Sequence, residues 1–270
     1  MSLHFYKYQG AGNDFVILDG RIQSVELSQK DIHFLCDRRF GIGADGVMIL
    51  GSAPNVDFTM RYYNADGYEG TMCGNGGRCL VACAAHGNEQ DRYLFSAVDG
   101  IHHAQVVSRN GRESQICLGM NNVDDIRPYL EDGFFLNTGS PHLVFFCTNL
   151  AKFEVSDRGL FWRNHPDFAP KGTNVNFVEI EPDGTLFVRT FERGVEAETL
   201  ACGTGVTAAA MAAYVRTMDQ EKEQSEGRYD YRIRTLGGRL HVSFRANGKH
   251  FDEVLLTGPA TRVFEGEIEV

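Results

Sequence analysis

No stretch of this 270-residue chain approaches the roughly 18 consecutive apolar residues that a membrane-crossing helix requires. Nor does its start, Met1 to Gln9, carry the basic stretch and apolar core of a secretory leader. Basic residues are in deficit: 26 Lys and Arg stand against 36 Asp and Glu, a net charge of -10. Nucleic acids and anionic membranes want clustered positive charge, so neither is expected as a partner. A small acidic substrate stays open, because a local pocket can oppose the global charge. Seven cysteines, an odd number without a leader, read as reduced thiols rather than a disulfide framework, which points to the cytoplasm. No linker interrupts the chain, and the most polar stretch, Asp219 to Arg232, reads as a solvated loop or helix end. With 43% hydrophobic residues there is ample material for a core, in one large domain or two smaller ones.

What the chain does have is a repeat. Met72-Cys73-Gly74-Asn75-Gly76-Gly77 recurs as Ala201-Cys202-Gly203-Thr204-Gly205-Val206, and each copy runs into small and apolar residues. These runs, Cys79 to Ala85 (with Gly87 beyond) and Val206 to Ala213, lack proline and predict helices, the first stopping at Gly87. Strand-like segments precede both cysteines, Thr59 to Asn64 and Leu186 to Glu192. Gly43 to Ile49 recurs as Gly172 to Val178, and Gly12 to Ile17 more loosely as Gly139 to Val144. Two coincidental glycine-rich turns would not produce such an ordered series. Short β-type runs recur elsewhere (Ile116 to Leu118, Leu143 to Cys147, Asn176 to Ile180, Leu240 to Phe244, Val254 to Thr257), and helices are few beside them. The expected architecture is mixed α/β and mostly antiparallel. It has two pseudo-symmetric halves, residues 1–121 and 122–259, each a sheet wrapped round a central helix, with residues 260–270 able to return to the first. The active site is expected in the cleft between them.

A cysteine at a helix start lies beside unsatisfied N–H groups and the positive end of the helix dipole, which favours its thiolate. The glycines next to it let backbone N–H groups approach an anion, for which a carboxylate is a natural occupant. Two related halves facing each other would offer one carboxylate the N–H groups of Gly74, Asn75, Gly203 and Thr204. The sulfurs of Cys73 and Cys202 would then flank the neighbouring α-carbon. One thiolate could remove its proton while the opposite thiol supplied another to the other face, with the N–H groups stabilising the developing charge. His142 and Glu192 are the candidate helpers of the two thiols.

Other readings of the same residues stay open. Cys73, Cys79, Cys83 and His86 could be a zinc cluster in a non-enzymatic protein, although their spacing departs from the usual close pairs. Cys79 and Cys83, four apart on a helix, also suit a core. Glu192-Arg193 could be a surface ion pair, and His142 a structural histidine. A pyridoxal phosphate enzyme is conceivable. The expectation carries no metal and no cofactor.

Gly10-Ala11-Gly12-Asn13-Asp14-Phe15, Asn64-Ala65-Asp66-Gly67, Met72 to Arg78, Gly172 to Asn176, Phe191 to Gly194, Ala201 to Gly205 and the closing Gly258-Pro259-Ala260 together resemble the motif set of the diaminopimelate epimerase family. The resemblance implies a cofactor-independent, two-base isomerase that converts LL-2,6-diaminopimelate to the meso isomer, a precursor of lysine and peptidoglycan. It implies Cys73 and Cys202 as the acid/base pair, assisted by His142 and Glu192. Gly74, Asn75, Gly203 and Thr204 would hold the reacting carboxylate, and Asn13 would orient the reacting end. Asn64, Asn176, Glu192 and Arg193 would read the distal amino-acid group, for which an acid and a guanidinium fork are chemically apt. Proline and hydroxyproline racemases share the cysteine pair but typically carry His where this chain has Asn75. The chain departs from common family residues at Ser140 (often Asn) and Gly46 (Gln in some members), and its Gly194 to Thr199 loop is one residue longer. The oligomeric state is open, a homodimer being one option.

Overall fold

The computed structural model describes residues 2–70, 72–221 and 226–270. The chain forms two compact units, residues 1–118 with 257–270, and residues 119–256.

In the first unit, β1 (Ser2–Gly10) and β2 (Asn13–Asp19) lead through helix α1 (Gln29–Cys36) to β3 (Gly46–Gly51) and β4 (Phe58–Asn64). Helix α2 (Gly74–Ala84) follows, then β5 (Arg92–Ala97), β6 (Gly100–Asn110) and β7 (Glu113–Gly119). Neighbouring strands pair in sequence order, with β2–β3 and β4–β5 parallel and the others antiparallel. The long last strand, β16 (His250–Glu269), pairs β7 through Gly258–Thr261 and β1 through Thr261–Glu269, which closes the sheet on itself. Its interior holds α2. That helix packs on β1, β2, β3 and β6, and each of its residues is buried.

The second unit repeats this plan. Strands β8 (Ile126–Tyr129), β9 (Gly133–Asn137) and β10 (Pro141–Phe146) lead through helix α3 (Val155–Arg163) to β11 (Asn174–Ile180) and β12 (Leu186–Glu192). The short β13 (Ala197–Thr199), helix α4 (Gly203–Glu221), β14 (Gly227–Thr235) and β15 (Gly238–Asn247) follow. The parallel pairs are now β10–β11 and β12–β14, in the places of β2–β3 and β4–β5. β15 pairs the start of β16, and a bridge between Val123 and Phe251 links that strand to the beginning of the unit. Helix α4 packs on β9, β10, β11, β12 and β15.

The composition of the two helices follows from this enclosure. A helix surrounded by sheet has no solvent face, so its residues must be mostly apolar and slim enough for the interior, and any polar side chain on it, such as Asn75 or Arg78 on α2, must find its partners inside. Gly, Ala and Cys meet both demands in α2, and Thr207 to Ala213 do so in α4, where each of those residues is at most 2% exposed. Such a helix reaches the surroundings only through its ends. The mixed, mostly antiparallel architecture is thus the observed one, and the runs Thr59 to Asn64 and Leu186 to Glu192 are strands directly upstream of the cysteine loops.

The polar stretch Asp219 to Arg232 is corrected in part. Helix α4 continues to Glu221, residues 222–225 lie outside the described residues, and Arg228 to Arg232 belong to β14. There Tyr229, Tyr231 and Ile233 alternate with the exposed Arg228, Asp230 and Arg232, a period-two pattern that pairs along β15. Charged residues on the open face of an antiparallel pair gave that segment its loop-like composition. Among the described residues no helix is long and apolar enough to cross a membrane.

The third residues of the two helices are glycines for packing, not only for anion approach. A Cβ on Gly205 would lie 2.4 Å from Asn176 Oδ1 and 3.3 Å from Thr190 Oγ1. On Gly76 it would meet the flexible end of Met48. Gly205→Ala is therefore expected to destabilise the protein by about 1–3 kcal/mol through overpacking, and Gly76→Ala by less, because the methionine can swing aside. Thermal melts of the two variants check this; equal midpoints would contradict it.

Candidate active site

In the first unit, Cys73 is the N-cap residue of α2, in extended backbone (φ -112°, ψ 120°), and its carbonyl accepts the first helical hydrogen bond from Gly77 N at 2.7 Å. Its thiol lies 3.7 Å from Asn13 Oδ1, which also accepts from Asn75 Nδ2 at 3.4 Å. Asn13 Nδ2 donates to Asp45 Oδ2 at 2.6 Å. Behind Asp45 stands a charged cluster. Arg38 bonds both Asp14 (2.7 Å) and Asp45 (2.9 Å), and the buried Lys7 bonds Asp14 (2.7 Å). Burial pushes the Asp14 carboxyl up, yet its bonds to Arg38 and Lys7 outweigh that and hold it at about 2, well below the ordinary carboxylate value. Asn13 is thus fixed from behind by ions, with its carbonyl oxygen turned to Cys73.

Arg78, the last residue of the first cysteine motif, has no place among the expected site residues. It is 0% exposed on α2, donating to Gly74 O (3.2 Å) and Asn75 Oδ1 (2.9 Å), while its Nε has no partner among the described residues. Its donation determines which way the Asn75 amide points, and hence that Asn75 Nδ2 faces Asn13. At the equivalent place in the second unit, Thr207 Oγ1 donates to Gly203 O at 2.9 Å.

In the second unit, Cys202 is 7% exposed, directly before α4, and its carbonyl accepts from Val206 N at 2.9 Å, just as that of Cys73 does from Gly77. The Cys202 sulfur lies 3.5 Å from Thr204 Oγ1. His142, on β10, is 0% exposed and lies behind Thr204, with Nε2 2.9 Å from Thr204 Oγ1 and Nδ1 3.0 Å from Asn176 Nδ2. Burial, reinforced by the charge of Arg193, pushes the His142 pKa down to about 3, so the ring is neutral at physiological pH. The threonine hydroxyl separates it from the sulfur.

At the end of β12, Glu192 Oε2 accepts from Thr199 Oγ1 at 2.9 Å. Arg193 Nη2 reaches Ser140 Oγ at 3.4 Å, and its backbone N donates to Asn174 Oδ1 at 2.9 Å. Asn174 Nδ2 completes the group with bonds to Ser140 Oγ and Pro141 O, both 2.9 Å. Asn176, expected beside Arg193, is elsewhere. It is 0% exposed on β11, and its amide is spent on Thr190, His142 and Leu143. Strand alternation puts residues 174 and 176 on one face; what separates them is their place along it, Asn174 opening β11 beside Ser140 and Pro141 and Asn176 lying further in, opposite Val144 and Thr190. In sequence, Asn174 stands in the same Gly172 to Asn176 motif, two residues before Asn176. Asn64 closes β4 as an exposed residue opposite Gly46, with its Nδ2 over Gly70. Cys79 and Cys83 are core residues of α2, and burial raises both thiols, Cys83 to about 12. His86 meets Arg262 at 3.1 Å.

His142 makes a testable contribution to stability. Its folded-state pKa lies below its unfolded value, so between about pH 6.5 and 3 the unfolded chain binds the extra proton and stability falls as pH falls. His142→Gln is expected to be destabilising at pH 7, with its deficit against the parent shrinking as pH drops from 6.5 to 4. Denaturant titrations across that range check this; a deficit independent of pH would contradict it.

The sequence model of the family described as diaminopimelate epimerase matches residues 5–122 and 134–263. The chain is 43% identical to the diaminopimelate epimerase of Flavobacterium psychrophilum, over 98% of this chain and 100% of that one. It is 37% identical to that of Aquifex aeolicus, over 98% of each. Among solved structures, a phenazine biosynthesis protein of the PhzF family from Bacillus anthracis superimposes with a TM-score of 0.76 at 15% identity, covering both chains fully. A hydroxyproline epimerase from Agrobacterium vitis does so with a TM-score of 0.70 at 15% identity, over 99% of this chain and 92% of that one. These structural likenesses speak to the fold, whereas the family match and the curated relatives span the cysteine motifs themselves. The chain belongs to the diaminopimelate epimerase family.

Proposed function

We propose that this protein is a cytoplasmic, cofactor-independent epimerase that converts LL-2,6-diaminopimelate to the meso isomer with Cys73 and Cys202 as its two bases. The observation that carries this reading, beside family membership, is the repeat made physical. In each unit one cysteine stands at the N-terminus of the enclosed helix, where N–H groups and helix dipole favour an anion.

In this reading the substrate's reacting carboxylate takes the N–H groups of Gly74, Asn75, Gly203 and Thr204, and the two sulfurs lie on opposite faces of the α-carbon. One thiolate removes the α-proton and becomes a thiol. The electron pair left on carbon delocalises into the carboxylate, held by the N–H groups. The other thiol gives its proton to the opposite face and becomes the thiolate. The configuration inverts, and the pair ends with its protonation states exchanged. Asn13 orients the reacting end. At the distal end Arg193 takes the second carboxylate and Glu192 the second ammonium, with Asn64 assisting. Asn174 and Ser140 join this set, because they bracket Arg193; Asn176 moves to the support of His142. His142 assists Cys202 through Thr204 rather than by contact.

The test is incubation of purified protein with LL-diaminopimelate in deuterated water, without pyridoxal phosphate or added metal. Deuterium is expected at one α-carbon with formation of the meso isomer. Cys73→Ala and Cys202→Ala are each expected to lose about a hundredfold to ten-thousandfold in rate or more. Arg193→Lys is expected to raise KM about tenfold to a hundredfold by losing the fork, with kcat less affected. Exchange with proline or hydroxyproline instead would overturn the substrate assignment and keep the two-thiol chemistry. Exchange with none of them, from folded reduced protein, would overturn both.

A further inference from the structure

The hydrogen bonds behind Cys202 run in one direction only. Asn176 Nδ2 lies 3.2 Å from the carbonyl oxygen of Leu143. A carbonyl only accepts, so the nitrogen, not the oxygen, of the Asn176 amide must face it. Asn176 Oδ1 accordingly accepts from Thr190 Oγ1 at 2.9 Å. The second hydrogen of Nδ2 points to His142 Nδ1 at 3.0 Å, which must then be the unprotonated ring nitrogen. In a neutral ring the proton is on Nε2, which donates to Thr204 Oγ1 at 2.9 Å. With its lone pair engaged, the Thr204 hydroxyl has its hydrogen to give, and the sulfur of Cys202 stands 3.5 Å away.

We propose that Thr204 is a positioning residue that donates a hydrogen bond to the Cys202 thiolate, and that Asn176, acting through His142, sets that direction. Thr190, Asn176, His142, Thr204 and Cys202 lie on β12, β11, β10 and α4 and at the start of α4, so four elements must dock to assemble the relay. The relay needs a neutral imidazole: an imidazolium would carry a proton on Nδ1, against the Asn176 amide hydrogens. The groups that act on the ring are those named, together with Arg193, whose positive charge also opposes ring protonation; Glu192 at the end of β12 is held by Thr199. Full burial serves the same end. The histidine is therefore not a proton acceptor for the thiol. It is a fixed dipole that keeps the hydroxyl pointing at the sulfur, and a sulfur that accepts a hydrogen bond is favoured as thiolate.

The polarity on the first unit is the reverse. There Arg78 orients Asn75, Asn75 donates to Asn13, and the carbonyl oxygen of Asn13 is the group presented to Cys73. The two thiols, equivalent by the repeat, are made inequivalent by their supports.

The inference rests on Cys202 being one of the two bases, and its test reads the thiol itself. Iodoacetamide alkylation of Cys202 and of Cys73 is followed against pH by peptide mass spectrometry in the parent, Thr204→Val and Thr204→Ser. The expected result is that Thr204→Val moves the half-maximal pH of Cys202 up by about one unit, a roughly tenfold loss of thiolate near neutrality. Thr204→Ser stays near the parent, and Cys73 shifts little in either variant. An unmoved Cys202 profile in Thr204→Val, or equal shifts in the serine and valine variants, overturns the proposal. Should the valine variant not fold, nitrogen NMR of the parent decides: a neutral His142 protonated on Nε2 between pH 6 and 8 supports the relay, and an Nδ1–H tautomer or an imidazolium overturns it. A protein that shows the Cys202 shift but no α-hydrogen exchange on diaminopimelate keeps the relay and overturns the function; exchange without the shift does the opposite.

Discussion

A helix enclosed by a sheet can act only through its ends, and the rest of this structure depends on that restriction. Enclosure dictates the small side chains of α2 and α4 and the glycines that let neighbouring strands close in. It also leaves each helix N-terminus as the one place where backbone N–H groups remain without helical partners. Cysteine stands there twice, and placing a potential thiolate at the positive end of a dipole in a poorly solvated setting is where that dipole counts most. Catalysis by carbon-acid deprotonation needs just such a concentration of fixed donors, because the α-proton of an amino acid leaves only if the resulting charge is met at once.

The support of the two cysteines is where the units diverge. The first uses ions: Lys7, Asp14, Arg38 and Asp45 brace Asn13, and Arg78 braces Asn75. The second uses neutral groups: Thr190, Asn176, His142 and Thr204 in series. Buried neutral networks carry no ionic desolvation penalty, but each member must be satisfied, which makes the chain directional. In the proposed two-base reaction one sulfur begins as thiolate and the other as thiol, so supports of opposite polarity suit it better than identical ones.

How much of this was legible varies with the range of the interaction. The strands at Thr59 to Asn64 and Leu186 to Glu192, the helices after each cysteine and the internal repeat could be read directly, since local pattern and enclosure agree there. The charged segment Arg228 to Arg232 could not, because an open sheet face and a loop have the same composition, and only pairing with β15 separates them. The surroundings of Asn176 were not legible for a related reason. Two asparagines stand two residues apart in Gly172 to Asn176, and sequence offers no way to tell which ends beside Arg193 and which is spent on Leu143 and His142. Arg78 closes the first cysteine motif, but its role was not legible, since a fully buried arginine is so uncommon that its default reading is a surface residue.

By itself, then, the sequence determined the chemistry on offer: two cysteines at helix starts, a guanidinium beside a carboxylate, a net charge of -10 and a duplicated plan. Those features depend on residue identity and on contacts within a few positions along the chain. The tertiary structure decided how the chemistry is held. It closed the first unit's sheet through β16, a strand from the far end of the chain. It also interposed Thr204 between His142 and Cys202, and determined which nitrogen of that histidine bears the proton. Hydrogen-bond direction depends on partners 14 to 62 residues apart, and no local pattern encodes which of them will meet.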